Sequence, residues 1–122
     1  MRRELTSHKV NGLNEALTVT VFDDPGHGGA HHHYLITTPH EKHLVNCDVY
    51  FQNGPIAEAG VNGVSNEALL AIVQDRLECF QAGPYSCREN ALALTHLQEA
   101  MHWLQHRTHE RAARGVEGTS AV

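Results

Sequence analysis

The apolar residues of this 122-residue chain change their spacing at Ser65, and that change constrains the fold more than any other feature. Before Ser65 they alternate, as in Leu17, Val19 and Val21, which is typical of half-buried strands. After Ser65 they recur with the spacing of one helix face, at Leu69, Val73, Leu77 and Phe80. The sequence therefore predicts an α+β fold, in which an N-terminal antiparallel β-meander is followed by a C-terminal two-helix hairpin.

The elements of the first half are predicted from alternation and from turn-forming residues. Strands are expected over residues 15–23, 32–38 and 43–52, and the Asn53-Gly54 pair marks a turn after the third strand. The segment 55–64 is short and interrupted by glycine, so it is predicted to form a small strand pair or an ordered connection.

Two helices are predicted in the second half. The first spans residues 66–81 and ends at Ala82-Gly83-Pro84. The run Ser86-Cys87-Arg88-Glu89 is a capping box, so the second helix should begin near residue 87, and it meets no glycine or proline before Arg114.

The second helix carries two apolar stripes. One contains Ala93, Leu97, Ala100, Met101 and Leu104, and the other contains Leu92, His96, Trp103 and His106. A single sheet covers only one of them. The second stripe is therefore either a contact between subunits, which makes the chain a homo-oligomer, or the surface that the first helix covers.

Size and charge exclude several classes of protein. A chain of 13.5 kDa is expected to form one domain over residues 1–122, with a sheet part over about 7–64, a hairpin over 65–114 and a mobile tail over 115–122. Nine basic against 14 acidic side chains argue against a nucleic-acid partner, and no apolar run is long enough to cross a membrane. We expect a cytosolic protein whose three cysteines are reduced and mostly buried.

Eleven histidines raise the question of a metal or a catalytic site. His102 and His106 have the i, i+4 spacing of zinc ligands, but the sequence lacks the glutamate of HExxH hydrolases, and no cysteine or carboxylate completes a ligand set. No metal and no cofactor are expected, and a histidine-rich metal-binding module is the alternative.

Catalytic motifs are incomplete. There is no GxSxG motif and no Cys-His motif, and His106-Arg107-Thr108 supplies only one of the two His-x-Thr motifs of a phosphoesterase. We predict no catalytic residues, with a small phosphoesterase or lyase as the alternative.

Two sequence features suggest a ligand that carries phosphate and a base. Amides of Gly26, Gly28, Gly29 and Ala30 can form a concave anion site, to which His27 or His31 adds a donor, although a flexible loop is the alternative.

The short connection between the helices brings Phe80 near Asn90. An adenine needs both a stacking surface and a carboxamide. Core packing is the alternative for Phe80. Arg107, Arg111 and Arg114 form a basic cluster that suits phosphate or ordinary solvation.

Several segments of the second half carry a family resemblance. They are Gly60 to Leu77, Phe80-Gln-Ala-Gly-Pro, Cys87-Arg-Glu-Asn-Ala, Trp103-Leu104, Arg107-Thr108 and Arg114 to Thr119. With them the chain resembles, over most of residues 16–119, phage Thoeris anti-defence proteins of the first-described family. The second half is also similar to the hairpin of the phage anti-CBASS cyclic-nucleotide sponge.

The resemblance implies a function and an assembly. The family sequesters, without cleavage, cyclic ADP-ribose isomers made by TIR-domain enzymes, as a dimer or a hexamer of dimers, in the cytoplasm of the infected host. Phe80 and Asn90 match its signal-pocket positions, and Arg107 matches an arginine that some members use for cyclic di- or trinucleotides. The correspondence of Gly28, Gly29, His27 and His31 is weaker.

Overall fold

The computed structural model describes residues 2–38 and 45–122, and it confirms the predicted fold class. In chain order the elements are β1 (Arg3–Leu5), α1 (Gly12–Ala16), β2 (Thr18–Val21), β3 (His33–Thr37), β4 (Asn46–Tyr50), α2 (Ile56–Ala59), α3 (Asn66–Ala82) and α4 (Arg88–Ala113). They fall into two compact units. The first runs through Gly54 and includes Ala59–Val64, and the second combines Pro55–Glu58 with Ser65–Val122. The single-domain division expected from the sequence stays a prediction.

The first unit is a four-stranded antiparallel sheet in the order β1-β2-β3-β4. Its centre is Val21, which is the one apolar side chain that is fully buried among the described residues. Strands β2, β3 and β4 lie inside the predicted ranges. Residues 43 and 44 of the third predicted strand are outside the described part of the chain. Strand β1 was not predicted, because three residues are too few to show alternation.

The predicted strand over 15–23 is wrong at its beginning, where the chain forms α1 instead. The side chain of Asn11 accepts a hydrogen bond from the Asn14 N–H at 2.9 Å and so caps the helix. The strand begins only at Thr18, once that short helix has ended.

Residues 55–64 form the second of the two predicted alternatives, an ordered connection, and not a strand pair. They contain α2 and a single parallel bridge between Phe51 and Val64. Asn62 holds this connection in place, since it accepts from the Asn53 N–H at 2.8 Å and donates to the Asn53 carbonyl at 2.7 Å. A side chain at Gly63 would lie 2.4 Å from the Phe51 carbonyl carbon, so only glycine fits there.

The two long helices, α3 and α4, pack along a seam with alternating spacings of three and four residues. The partly buried positions in this spacing are Glu67, Leu70, Gln74, Leu77 and Gln81 on α3, and Asn90, Leu94, Leu97, Met101, Leu104, Thr108 and Arg111 on α4. This is the spacing of a coiled-coil contact. The predicted stripe on α3 is therefore wrong at Val73 and Phe80, and that on α4 at Ala93 and Ala100, all of which are exposed.

The second stripe of α4 is not covered by α3. Trp103 is 60% exposed and Leu92 is exposed as well, so the expectation that the first helix covers this face is wrong. The reason is geometric, because one helix covers one stripe of its neighbour, and α3 already covers the seam. No described helix is long and apolar enough to cross a membrane.

Helix α4 begins one residue later than the predicted capping box requires. The N-cap is Cys87, whose Sγ accepts from the Asn90 N–H at 3.4 Å, while the Ser86 N–H donates to the Gly83 carbonyl in the preceding turn. The capping box with Ser86 as its cap is therefore wrong. The expectation of buried thiols is wrong too, since all three cysteines are exposed, although they are free.

Candidate functional site

A surface pocket of about 370 Å³ lies where α3 ends and the turn to α4 begins. Its lining residues belong to one continuous stretch of the second unit: Asp75, Arg76, Cys79, Phe80, Gly83, Pro84 and Tyr85. The lining combines two aromatic rings, a carboxylate and a guanidinium. Such a mixture of apolar surface and a few polar groups is typical of small-molecule sites.

Phe80 forms the aromatic wall of this pocket. It is 37% exposed, so it is not fully enclosed in the core. The guanidinium carbon of Arg76 lies over the ring, 5.4 Å from its centroid, within the range of a cation–π contact. The ring is thus open to a planar ligand and has a positive charge beside it.

Asn90 lies at the same end of the hairpin but does not line the pocket. It occupies the first position of the α4 seam, where it is partly buried, and its backbone N–H donates to Cys87 Sγ. Asn90 therefore lies close to the hairpin turn, but outside the lining of the pocket. Contact of this side chain with a base stays a prediction.

The three arginines of the basic cluster have different environments. Arg111 is buried and donates to backbone carbonyls, and Arg114 pairs with Glu110 at 2.7 Å. Arg107 is exposed and has no ion pair or hydrogen bond within the described part of the chain. Only Arg107 is uncommitted, so it is the member of the cluster that suits an anion.

The glycine loop of the first unit is held by Asp23. Its carboxylate accepts from the His32 N–H at 2.9 Å and from the His33 N–H at 3.1 Å, and its backbone carbonyl accepts from the His31 Nδ1–H at 2.7 Å. The hydrogen bond from His32, with that from His33, holds the pKa of Asp23 below its ordinary value. The loop is therefore built around a carboxylate that is charged at neutral pH.

Part of the predicted anion site is used by the loop itself. The Gly26 N–H donates to the Ala30 carbonyl at 2.8 Å, and the Gly29 N–H donates to the Gly26 carbonyl at 2.9 Å. These two amides are not available to a phosphate. Gly28 and Gly29 have positive φ angles of 72° and 79°, which explains why glycine stands at both positions.

The two histidines assigned to this loop differ. His27 is exposed at the tip, whereas His31 is partly buried against Asp23. Binding of a phosphate by either one, or by the amide of Gly28, stays a prediction.

The histidines do not form a recognised catalytic group in the described part of the chain. His33 Nε2 lies 2.7 Å from Asp48 Oδ1 and its ring stacks on Tyr50, but neither the His33 ring nor the Asp48 carboxylate is hydrogen bonded to a serine, threonine or cysteine side chain there. The single His-x-Thr motif is inside α4, where the Thr108 hydroxyl donates to the Leu104 carbonyl at 3.2 Å.

Metal ligands are not grouped among residues 2–38 and 45–122. No three histidine, cysteine, aspartate or glutamate side chains come together there in a way that could hold an ion. His102 and His106 lie on one face of α4 with ring centroids 6.4 Å apart. His40 and His43 are outside the described residues.

Phe80 is the one residue of the pocket lining that was predicted from the sequence as a site residue, and the side chains of Arg76 and Tyr85 are the most important of those that were missed. Arg76 precedes Phe80 by four residues, a spacing that places both side chains on the same face of a helix, and this signal was available. Tyr85 lies in a turn, where no periodicity indicates the direction of a side chain.

The chain is thus a small α+β protein in which a β-meander is followed by a helical hairpin, with an aromatic pocket at the hairpin turn. Residues 43–108, more than half of the chain, match the family model described as "Acb2/Tad1, hairpin domain". The chain belongs to this family. It is also 58% identical over 71 residues to "Thoeris anti-defense 1" of Bacillus phage SBSphiJ7. That match covers 58% of this chain and 50% of the phage protein, so the chain matches about half of the length of this relative.

Proposed function

We propose that this protein counteracts a Thoeris-type defence by binding a cyclic ADP-ribose isomer and sequestering it without cleavage. The observation that carries the proposal is Phe80. It is a large aromatic side chain, 37% exposed, in the wall of a pocket of about 370 Å³, with an arginine over its ring. Membership of the Acb2/Tad1 family and the name of the phage relative support the same function.

In this proposal the ligand's parts are recognised by different side chains. The adenine stacks on Phe80, and the Asn90 carboxamide reads its hydrogen-bonding edge. Arg107 lies about 25 Å further along α4 than Asn90, so it binds phosphate at this pocket only from a second subunit, or at a separate site that suits a cyclic di- or trinucleotide. In the first unit the Gly28 amide, with His27 and His31, is an anion-binding element in its own right, whereas the Gly29 amide is used within the loop.

Binding rather than catalysis is favoured by the environment of the candidate catalytic side chains. The one His-x-Thr motif is within a helix and its hydroxyl is engaged with the backbone. The protein then acts in the cytoplasm of the infected cell, where the TIR-domain enzyme makes its signal. Its ligand is released intact when the protein unfolds.

The test is to mix the protein with the product of a TIR-domain enzyme, remove free nucleotide, denature the protein and analyse what is released by mass spectrometry. We expect the cyclic signal, unchanged and close to one equivalent per site. Release of a linear or hydrolysed product, with continued turnover of added signal, would show that the protein is a phosphoesterase or lyase and not a sponge. A sample treated with a metal chelator serves as the control for the histidine-rich alternative.

We also propose that the protein is a homo-oligomer, a dimer or a hexamer. Apolar side chains remain exposed on both long helices, namely Ile72 and Val73 on α3, and Leu92 and Trp103 on α4. Several exposed apolar side chains on the two helices of so small a protein are accounted for if another subunit covers them. Native mass spectrometry at low micromolar concentration is expected to show multiples of 13.5 kDa, and a spectrum with the 13.5 kDa species alone would refute the assembly.

A further inference from the structure

We infer that Tyr85 and Phe80 form an aromatic clamp that holds the planar base of the ligand between them. The inference rests on the proposed nucleotide-binding function, and it adds a residue that neither the sequence motifs nor the relatives assign. Both rings line the same pocket, and their centroids are 6.5 Å apart.

The separation of the two rings is close to, but less than, the separation that a clamp around a base requires. Carbon atoms in contact lie about 3.5 Å apart, so a flat ring between two others needs a spacing of about 7 Å. The rings of Phe80 and Tyr85 are separated by slightly less than this and are inclined at 58°. At this distance and tilt the two rings contact each other, so a base enters between them when the Tyr85 ring turns parallel to Phe80 and moves slightly away from it.

Tyr85 is the ring that is free to rotate. It is 73% exposed, whereas Phe80 is 37% exposed and has the Arg76 guanidinium over its face. Phe80 is the fixed wall of the clamp and Tyr85 is its movable wall. The Arg76 charge beside the fixed wall is suited to the phosphate that a nucleotide carries.

The backbone of the turn explains why Tyr85 stays beside Phe80. The Gly83 N–H donates to the Phe80 carbonyl at 3.2 Å, and the Ser86 N–H donates to the Gly83 carbonyl at 3.4 Å. Pro84 lies at the second position of this turn, where its fixed φ is favourable. Tyr85 therefore projects from a constrained turn, and less freedom is lost when a base is bound.

The experiment compares Tyr85→Leu, which removes the ring but keeps apolar bulk, with Tyr85→Phe, which keeps the ring. Both variants and the unmodified protein are titrated by calorimetry with cyclic ADP-ribose, the TIR-enzyme product and AMP. We expect Tyr85→Leu to bind about tenfold to one-hundredfold more weakly than the unmodified protein. Tyr85→Phe should bind like the unmodified protein, and melting temperatures should not change because Tyr85 is exposed.

A second readout reports stacking directly. The chain contains a single tryptophan, Trp103, so Tyr85→Trp in a Trp103→Phe background places the only tryptophan in the clamp. A base that enters between the rings should quench its emission, with the same midpoint as the calorimetric titration. An unchanged emission at ligand saturation would refute the clamp.

The outcomes separate this inference from the proposed function. Full affinity of Tyr85→Leu for a ligand that the unmodified protein binds would overturn the clamp and leave sequestration in place. Binding of AMP that depends on Tyr85, without binding of either cyclic compound, would support the clamp and overturn sequestration. Failure of the unmodified protein to bind any of the three probes would overturn both.

Discussion

Replacing Phe80 by Ala is expected to weaken binding of the cyclic nucleotide about tenfold to one-hundredfold, while the protein remains folded. The lost free energy is that of one base stacked on one ring, about 1–3 kcal/mol. Because Phe80 is 37% exposed, the loss of stability should be well below the roughly 3–5 kcal/mol of a buried Phe→Ala change. Calorimetric titration and thermal melting followed by circular dichroism measure the two quantities separately.

Leu77→Ala is the matched control on the same helix. Leu77 belongs to the α3 seam and does not line the pocket, so its loss should reduce stability by about 2 kcal/mol and leave affinity unchanged below the melting transition. The opposite result, in which Phe80→Ala unfolds the protein and Leu77→Ala abolishes binding by folded protein, would place the ligand elsewhere.

Asn90→Ala separates base reading from helix stability. The Cys87 cap accepts from the backbone N–H of residue 90, and alanine retains this N–H. Because alanine also favours the helix, the melting temperature should not change. Binding should fall sharply, because a hydrogen-bonding edge of the base loses its partner. Full affinity in this variant would show that the Asn90 carboxamide does not contact the ligand.

The two halves of the chain differ in how much of their structure is predictable. Period-two alternation located β2, β3 and β4, and helical spacing located α3 and α4, because each pattern is repeated over enough residues. Strand β1, with three residues, and α2, with four, are too short for any period to appear. Their positions are set by tertiary contacts, such as the hydrogen bond from the Ala57 N–H to the Gly118 carbonyl.

The pocket was only partly predictable for a related reason. An apolar stripe on a helix predicts that a side chain faces a neighbour, and it does not distinguish a seam from a ligand-binding wall. Leu77 and Phe80 lie in the same predicted stripe, yet Leu77 packs in the seam and Phe80 lines the pocket. The turn that carries Tyr85 has no repeating pattern, so only the structure places that ring.

The basic cluster of α4 shows the same limit and allows a sharp test. In sequence Arg107 and Arg111 are equivalent, one helical turn apart, but Arg111 is 5% exposed and Arg107 is exposed. The Arg111 guanidinium donates to the carbonyls of Ala121 at 2.6 Å, Val116 at 2.9 Å and Thr119 at 3.1 Å. Arg111 thus holds the segment that follows α4. The mobility predicted for residues 115–122 stays a prediction.

Arg111→Met is expected to destabilise the protein by about 2–3 kcal/mol, because three backbone carbonyls lose a charged donor and Glu117 loses the guanidinium 3.5 Å away. For a chain of this size the melting temperature should fall by about 10 °C or more. Limited proteolysis should at the same time cut residues 115–122 faster than in the unmodified protein. A melting temperature that does not change would mean that these hydrogen bonds contribute nothing to stability.

Arg107→Met is the matched variant and should behave in the opposite way. Its side chain has no partner within the described residues, so its removal should not change the melting temperature. If Arg107 binds phosphate, the variant should bind the cyclic nucleotide more weakly, and the remaining affinity should depend less on salt concentration, because one charge contact is gone. An affinity and a salt dependence equal to those of the unmodified protein would show that Arg107 does not contact the ligand. Since both substitutions replace arginine by methionine on one helix, the helix propensity and the charge change are the same, and any difference between them comes from the environment of each guanidinium.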